Sequence, residues 1–285
     1  MARAVGEGFD CFLFGLVLPA FGGCSPLRWQ PPKASRTYRF TEYLQRVDTA
    51  SDVRYGKIRL CVWREWLKEK DTIERKAIAA GWRRGYFLVI EGPDGAGKSS
   101  VVKFLRRQLT RRGRVVTVAR DPGGTAIGRC LRRLLLDPAQ RRMAATTELL
   151  LYLASRAQLV AEIIRPALAA GKLVIADRFT LSTLAYQGAA AVLPRAQLRK
   201  VTAISAGGLA PDHTILLDLP VEIGLARLGR RRDRMERKGI AFLRRVRRIY
   251  RREARLERGK TTVINAARPL DMVKAEVLSI VDNFL

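Results

Sequence analysis

From Tyr86 to the C-terminus, short apolar runs typical of buried β-strands alternate with longer stretches that have the apolar spacing of amphipathic helices. The five runs lie at residues 86–91, 115–119, 173–177, 214–219 and 261–265, and the clearest helical patterns lie at residues 147–170 and 270–284. Such alternation predicts an α/β fold of three layers, in which helices flank a five-stranded parallel sheet on both faces.

The first 85 residues lack this alternation, although they contain all four tryptophans. Residues 12–21 form an apolar run that is too short to span a bilayer, which needs about 20 residues. Glu7 and Asp10 remove the positive flank that an export signal requires. Translation from a start codon placed too far upstream is another explanation of this segment. We expect residues 1–85 to be a poorly ordered, non-catalytic extension of a domain at residues 86–285.

The cysteine and histidine content limits the possible chemistry. Four cysteines lie far apart without C-x-x-C spacing and the chain has one histidine, so a disulfide scaffold and a Cys/His zinc site are excluded. Such cysteines fit a reducing compartment, and we expect a cytoplasmic protein. The formal net charge of +28 favours either an acidic partner such as nucleic acid or an arginine-rich codon usage. Composition alone leaves these two explanations open.

A phosphate-binding motif follows the first predicted strand. It matches G-x-x-x-x-G-K-S/T in full and precedes a helix-compatible run, which is the context that this motif requires. In such a loop, backbone N–H groups converge on the β-phosphate, the lysine contacts the β- and γ-phosphates, and the hydroxyl binds Mg²⁺. The motif predicts that a nucleoside triphosphate binds with Mg²⁺ at Gly92, Pro93, Asp94, Gly95, Ala96, Gly97, Lys98 and Ser99.

Asp94 is an unusual residue within this loop, because a carboxylate beside bound phosphates is electrostatically costly. Two explanations fit the residue. Its carboxylate accepts a hydrogen bond from a substrate hydroxyl, or it caps its own loop.

Six segments resemble, in order and spacing, the successive motifs of the thymidylate kinases. They are EGPDGAGKSS (91–100), DPGGTAIGRCLRRLLLDP (121–138), ELLLYLASRAQ (148–158), DRFTLSTLAYQG (177–188), PDHTILLDLPVEIGL (211–225) and DRME (233–236). The resemblance runs from about Tyr86 to the C-terminus. It implies that the protein transfers the γ-phosphoryl group of ATP to dTMP, giving dTDP and ADP in dTTP biosynthesis, with Mg²⁺ as cofactor.

The resemblance also implies roles for single residues. Arg132 and Arg178 hold the acceptor phosphate, a task that suits guanidinium groups because they bind phosphate bidentately. Asp177 ends a buried apolar strand and lies near Mg²⁺ and the reacting phosphates. Tyr152 stacks on the base of dTMP and Arg156 hydrogen-bonds to it, while Thr183 contacts the edge of the base and Gln187 lies near that edge. Tyr186 excludes ribonucleotides, and Asp94 accepts a hydrogen bond from the 3′-hydroxyl.

Residues 229–238 correspond to the mobile lid of nucleoside monophosphate kinases. Some thymidylate kinases carry a basic residue in the phosphate-binding loop and others carry it in the lid. Since the loop has Ala96, the catalytic positive charge is expected in the lid, on Arg230, Arg231, Arg232 or Arg234.

Two other functions remain in competition. A kinase for another pyrimidine monophosphate, such as dUMP, is disfavoured by the pair Tyr152 and Arg156. A nucleic-acid-binding P-loop protein is suggested by residues 227–260, which carry sixteen basic and four acidic residues, but no nucleic-acid motif is present. Because relatives are commonly dimers, we expect a homodimer, and we expect no membrane span.

Overall fold

The computed structural model describes residues 85–229, 233–257 and 259–285. The prediction of a poorly ordered extension therefore falls on residues that, apart from Gly85, lie outside the described ranges. The strands are β1 (Phe87–Glu91), β2 (Val116–Arg120), β3 (Leu173–Asp177), β4 (His213–Asp218) and β5 (Thr261–Asn265). The α-helices are α1 (Lys98–Arg111), α2 (Ala126–Leu136), α3 (Ala145–Leu159), α4 (Arg165–Ala169), α5 (Thr180–Ala189), α6 (Arg195–Ser205), α7 (Val221–Leu228), α8 (Ile240–Leu256) and α9 (Leu270–Asp282).

The five strands form one parallel sheet in the order β2-β3-β1-β4-β5. In its register, Asp177 lies between Ile90 of β1 and Arg120 of β2, so the carboxyl ends of these three strands meet at one edge. Ligands of open parallel sheets bind outside this edge. The fold therefore brings the phosphate-binding loop, which follows β1, next to the residues that follow β2 and β3.

Helices cover both faces of the sheet because the side chains of each strand alternate. Leu88 and Ile90 of β1 pack in a core with α1 and α9. Phe87 and Val89 point the other way and pack against α4 and the π-helical segment Val160–Ile164 that precedes it. The predicted three-layer α/β fold with a five-stranded parallel sheet is confirmed.

The observed elements differ little from the predicted ones. Each predicted strand is present, and its ends are displaced by at most one residue. The helical pattern predicted at residues 147–170 spans α3, the π-helical segment and α4. No helix in the described part of the chain is both long enough and apolar enough to cross a membrane.

Candidate active site

The loop between β1 and α1 depends on glycine at two positions. Gly92 and Gly95 have φ angles of +144° and +79°, in a region that other residues rarely adopt. A Cβ atom on either would lie 2.4 Å from a carbonyl oxygen, that of Leu217 or that of Gly224. These glycines let the loop pass close to β4 and α7 on its way to α1, whose N-terminus favours anions.

The side chain of Lys98 is buried under this loop. Its Nζ donates to the carbonyl oxygen of Pro93 at 2.7 Å and lies 3.9 Å from Asp94 Oδ1. Burial and then the charge of Arg178 lower the pKa of Lys98 to about 8, against the opposing effect of Asp94 and Asp177. An anion bound in the loop would add negative charge beside this buried ammonium group and favour its protonated form.

Ser99 and Asp177 form a pair of oxygen donors at the end of β3. Ser99 Oγ donates a hydrogen bond to Asp177 Oδ2 at 2.7 Å. Mg²⁺ is usually held by one or two protein oxygens together with phosphates and waters, so this pair fits a Mg²⁺ ion that arrives with a nucleotide. No cluster of three or more His, Cys, Asp or Glu side chains that could hold a metal ion occurs within the described ranges.

Arg178, the first residue after β3, joins the loop to the helices. It has a left-handed φ of 72°, which is rare for a residue other than glycine. Its Nη1 donates to the carbonyl oxygen of Gly92 at 3.0 Å and to the Tyr250 hydroxyl at 3.0 Å, and its Nη2 forms an ion pair with Asp94. These contacts fix the guanidinium group beside the phosphate-binding loop.

Asp94 accepts hydrogen bonds from two further site residues. Its Oδ2 accepts from the hydroxyl of Tyr186 at 2.6 Å, and its Oδ1 accepts from Arg178. Burial alone would raise the pKa of Asp94, but the charges of Arg178 and Lys98 and the hydrogen bond from Tyr186 lower it to about 2. Asp94 is therefore an ionised acceptor whose hydrogen-bond donors, Arg178 and Tyr186, come from outside its own loop.

Arg156 of α3 is fully buried and has three partners. Its Nε donates to Asp121 Oδ2 at 2.7 Å, and its Nη2 donates to the carbonyl oxygen of Phe179 at 3.0 Å and to Thr183 Oγ1 at 2.6 Å. Burial raises the pKa of Asp121, and Arg156 opposes that rise. Among the described residues, nothing accepts a hydrogen bond from Arg156 Nη1, which leaves one charged donor for a ligand.

Tyr152 and Gln187 line the same space as Arg156. Glu148, Tyr152 and Arg156 are spaced by four residues on α3 and share one face of the helix. Glu148 is buried, and its Oε1 accepts a hydrogen bond from Gln187 Nε2 at 3.0 Å. This hydrogen bond joins α3 to α5 beside the space that Tyr152, Arg156 and Gln187 line.

Arg132 of α2 and Arg120 at the end of β2 contribute positive charge without a carboxylate partner among the described residues. Arg132 Nη1 donates to the neutral carbonyl oxygen of Pro122 at 3.0 Å. Burial and then the nearby charge of Arg120 lower the pKa of Arg132. Two cations that line the same space favour an anion bound there.

The end of the predicted lid is fixed to α3. Arg234 Nη1 forms an ion pair with Glu148 Oε2 at 2.7 Å, and Lys238 Nζ lies 2.8 Å from the same oxygen. Arg234 also donates through Nε to the carbonyl oxygen of Leu135 at 2.7 Å. Arg230, Arg231 and Arg232 lie outside the described residues. Within the described part of the lid, Arg234 therefore holds the lid against α3 and does not line the space that Tyr152, Arg156 and Gln187 share.

Two adjoining clefts result from this arrangement. The inner cleft is lined by Asp94, Asp121, Pro122, Arg132, Leu136, Tyr152, Arg156, Arg178, Ser182, Thr183, Tyr186, Gln187, Asp233 and Met235. The loop cleft is lined by Asp94, Gly95, Gly97, Lys98, Ser99, Ser100, Arg120, Asp121, Arg132, Asp177, Arg178, Leu228, Asp233 and Glu236. Asp94, Asp121, Arg132, Arg178 and Asp233 line both clefts, so a group bound in one cleft can reach a group bound in the other.

Sequence reasoning missed several residues that support the site. Glu91 at the end of β1 is buried and accepts hydrogen bonds from the backbone N–H groups of Phe179 and Ser182, at 2.8 and 3.1 Å, which fixes the start of α5. Glu148 and Asp121, which hold cations in place, were also missed. A signal for Glu148 existed in the sequence, because it lies four and eight residues before Tyr152 and Arg156.

Comparison with known proteins agrees with this geometry. Residues 90–277, more than half of the chain, match the family model described as thymidylate kinase. The chain is 48% identical over 186 residues to a thymidylate kinase of Desulforudis audaxviator, which covers 65% of this chain and 84% of the relative.

Two further relatives carry the same name. A thymidylate kinase of Pseudomonas savastanoi is 43% identical over 203 residues, or 70% of this chain and 97% of the relative. A thymidylate kinase of Deinococcus radiodurans is 45% identical over 196 residues, or 68% of this chain and 95% of the relative. These matches cover most of each relative's length.

Proposed function

The chain belongs to the thymidylate kinase family and phosphorylates dTMP to dTDP with ATP as donor, and we propose how its site residues carry out this reaction. The observation that carries the assignment is the junction of the two clefts beside the phosphate-binding loop, where the two cations Arg132 and Arg178 are shared. The clefts also share Asp94, Asp121 and Asp233. In this proposal ATP binds in the loop cleft and dTMP in the inner cleft, so that their reacting phosphates meet at the shared residues.

On the donor side, the backbone of residues 92–99 holds the β-phosphate and Lys98 contacts the β- and γ-phosphates. The oxygen pair of Ser99 and Asp177 would hold Mg²⁺, directly or through water, and this ion would neutralise charge on the phosphates when bound. The phosphates would then add a further anionic partner to the buried ammonium group of Lys98, which already lies 3.9 Å from Asp94 Oδ1.

On the acceptor side, Arg132 and Arg178 hold the phosphate of dTMP. The unused Nη1 of Arg156 donates to O4 of the thymine ring, and Tyr152 stacks on that ring. Thr183, which already accepts from Arg156, lies at the base edge with Gln187 nearby. The amide of Gln187 bonds to Glu148, so Gln187 positions α5 rather than offering its Nε2 to the base.

The sugar is placed by Asp94 and Tyr186. The Asp94 carboxylate accepts from the 3′-hydroxyl of dTMP, and the Tyr186 hydroxyl, 2.6 Å from Asp94 Oδ2, holds that carboxylate in place. The tyrosine ring also occupies the space where a 2′-hydroxyl would lie, which disfavours ribonucleotides.

Transfer of the γ-phosphoryl group is promoted by positive charge that neutralises the transferring oxygens. We assign this role to Lys98, Arg178 and one lid arginine among Arg230, Arg231 and Arg232. Arg234 is tied to Glu148 and fixes the end of the lid, so its contribution to transfer is indirect. Closure of the lid would exclude water from the clefts.

The predicted homodimer and the cytoplasmic location are part of the same proposal. Ile127 and Leu134 of α2 and Leu150 of α3 are exposed apolar side chains on two neighbouring helices. An apolar surface of this kind is typical of a subunit interface. Sedimentation of the purified chain would test the dimer.

Initial rates of ADP release with equal concentrations of dTMP, dUMP, dCMP and UMP test the function. We expect dTMP to give the highest kcat/KM and UMP to give a far lower value. A higher kcat/KM with dUMP or dCMP would favour the other pyrimidine monophosphate kinase and contradict the role of Arg156.

A further inference from the structure

Helix α8 carries seven arginines in seventeen residues. Its apolar side chains, among them Phe242, Val246 and Tyr250, are buried in a core shared with α5. The arginines therefore lie on the opposite, outward side of the helix. This side plays no part in the kinase site described above.

A groove of about 600 Å³ follows the outward side of α8 next to the start of α7. We call it the α8 groove, and it is lined by Val221, Glu222, Arg244, Arg247, Arg248, Arg251, Arg252 and Arg255. It shares no lining residue with the inner cleft or the loop cleft. A ligand of the α8 groove would thus leave both nucleotide sites accessible.

The α8 groove has an excess of positive charge even after its ion pairs are taken into account. Arg244 pairs with Glu222, Arg247 and Arg251 both pair with Asp218, and Arg252 pairs with Glu253. Six guanidinium groups thus face three carboxylates.

Two arginines of the groove have no such partner. Arg248 and Arg255 are exposed and form no ion pair or hydrogen bond with any described residue. Their charges are available to an external anion.

The spacing of four arginines is linear. Arg244, Arg248, Arg251 and Arg255 follow at intervals of four, three and four residues, so they lie on one face of α8. At 1.5 Å per residue the row is about 16 Å long. One strand of B-DNA passes about five phosphates over that length, at 3.4 Å each.

We propose that the α8 groove binds the phosphodiester backbone of double-stranded nucleic acid, without sequence specificity, as a second activity of this kinase. Arginine suits the partner because its planar fork binds phosphate bidentately and remains charged. The groove presents no aromatic ring on which an unpaired base could stack, which favours a duplex over a single strand.

Other acidic partners fit the surface less well. A helix that binds a lipid surface inserts its apolar face, but the apolar face of α8 is buried in the protein core. The centre of a protein interface is depleted of charged residues, whereas Val221 is the one apolar side chain that lines the α8 groove among the described residues.

Fluorescence anisotropy of labelled duplexes tests the proposal on the full-length protein. Binding of a DNA duplex, an RNA duplex of the same sequence and a single strand is measured from low to moderate salt. Each phosphate neutralised contributes about −0.9 to the slope of log K against log salt. The double variant Arg248→Ala with Arg255→Ala should make this slope less steep by about 2 while kcat and KM for dTMP are unchanged.

The matched control is Arg107→Ala with Arg111→Ala on α1, which removes two exposed arginines that also have no ion pair among the described residues. Its slope should equal that of the unmodified protein. If both double variants weaken binding equally, net charge alone is responsible and the α8 groove is not a site. Tighter binding to the single strand, or binding to phosphatidylserine vesicles but not to duplexes, would also overturn the proposal.

Discussion

The ion pair between Asp121 and Arg156 offers the sharpest test of how the site is built. Both side chains are 1% exposed, and Nε and Oδ2 are 2.7 Å apart. Asp121→Asn keeps the size of the side chain and an oxygen that can accept from Nε, but it removes the negative charge. Arg156 is then a buried cation without a compensating carboxylate among its described contacts.

The expected loss of stability follows from the burial. Removing one partner of a buried ion pair costs about 3–5 kcal/mol, and the retained hydrogen bond places this variant near the lower limit. With an m-value of about 3 kcal/mol/M in urea, a loss of about 3 kcal/mol lowers the unfolding midpoint by about 1 M. Asp271→Asn, at a 92% exposed carboxylate paired with Lys274, should shift the midpoint far less.

Catalysis should respond selectively to the same change. Arg156 Nη1 is the donor that we assign to the thymine ring, and a hydrogen bond from a charged donor contributes about 1.5–3 kcal/mol. If its orientation is lost, kcat/KM for dTMP falls about 10- to 150-fold, while KM for ATP changes little. Urea denaturation and a coupled ADP-release assay measure the two effects separately.

The double variant Asp121→Leu with Arg156→Met separates stability from recognition. Apolar replacement of a buried pair is often neutral or stabilising, so much of the lost stability should return, while kcat/KM for dTMP stays low. Two results would refute the reasoning. One is a wild-type midpoint and wild-type dTMP use in Asp121→Asn, and the other is restored dTMP use in the double variant.

Three further changes test other parts of the site. Lys98→Ala should lower kcat at least about 100-fold while the protein remains folded, because it removes charge aimed at phosphate. Lys103→Ala on the exposed side of α1 should have no effect, and equal kcat in both variants would contradict the role of Lys98. Glu148→Gln should raise KM for dTMP and lower kcat, because the lid loses the carboxylate that holds Arg234. The control is Glu162→Gln at an exposed position, and unchanged kinetics in Glu148→Gln would mean that the ion pair with Arg234 is dispensable. Removal of residues 1–80 should leave most of kcat/KM for dTMP, since the family match begins at residue 90. If the shortened protein is insoluble or inactive, the predicted domain boundary is wrong.

The fold could be predicted because its three central strands, β1, β3 and β4, are buried on both faces. Parallel strands covered by helices are continuous apolar runs, and the run 173–177 coincides with β3. His213 begins β4 although it is polar, because its ring packs 4.3 Å from that of Phe284 and its Nε2 lies 2.9 Å from Thr262 Oγ1. Those partners come from distant segments, so the strand-forming run by itself begins at residue 214, although the position of His213 predicts a structural residue at the start of the strand.

Local pattern also missed the change from α- to π-helix at Val160–Ile164. The apolar spacing runs through this segment without a break. Pro166 follows it and has no N–H to donate within the helix, which is the one local sign of irregularity. Tertiary packing also contributes to the change from α- to π-helix, since Val160 and Ile164 are buried against β1 and β3.

The site was predictable where one short segment carries the chemistry. The phosphate-binding loop is contiguous, and the spacing of Tyr152 and Arg156 places both on one helix face. The partners of charged residues were not predictable, because Asp121 meets Arg156 and Glu148 meets Arg234 only after β2, α3 and the lid have packed together. A motif therefore predicts candidate groups for substrate contact, but not the groups that hold those candidates in place.

Charge pairing within the site shows where ligand charge belongs. Asp94 is balanced by Arg178, and Glu148 is balanced by Arg234 and Lys238. Within these pairs the charges are balanced before any ligand binds.

Other positive groups of the site are not balanced in this way. Arg132 and Arg120 have no carboxylate partner among the described residues, and Arg156 Nη1 has no acceptor. Arg132 and Arg120 line the loop cleft, where phosphates would supply negative charge. Arg156 lines the inner cleft, where the carbonyl oxygen of a neutral ring would be enough to accept a hydrogen bond from Nη1. A polyanion beside a neutral pyrimidine is therefore the ligand that completes this site, and dTMP next to a nucleoside triphosphate meets both requirements.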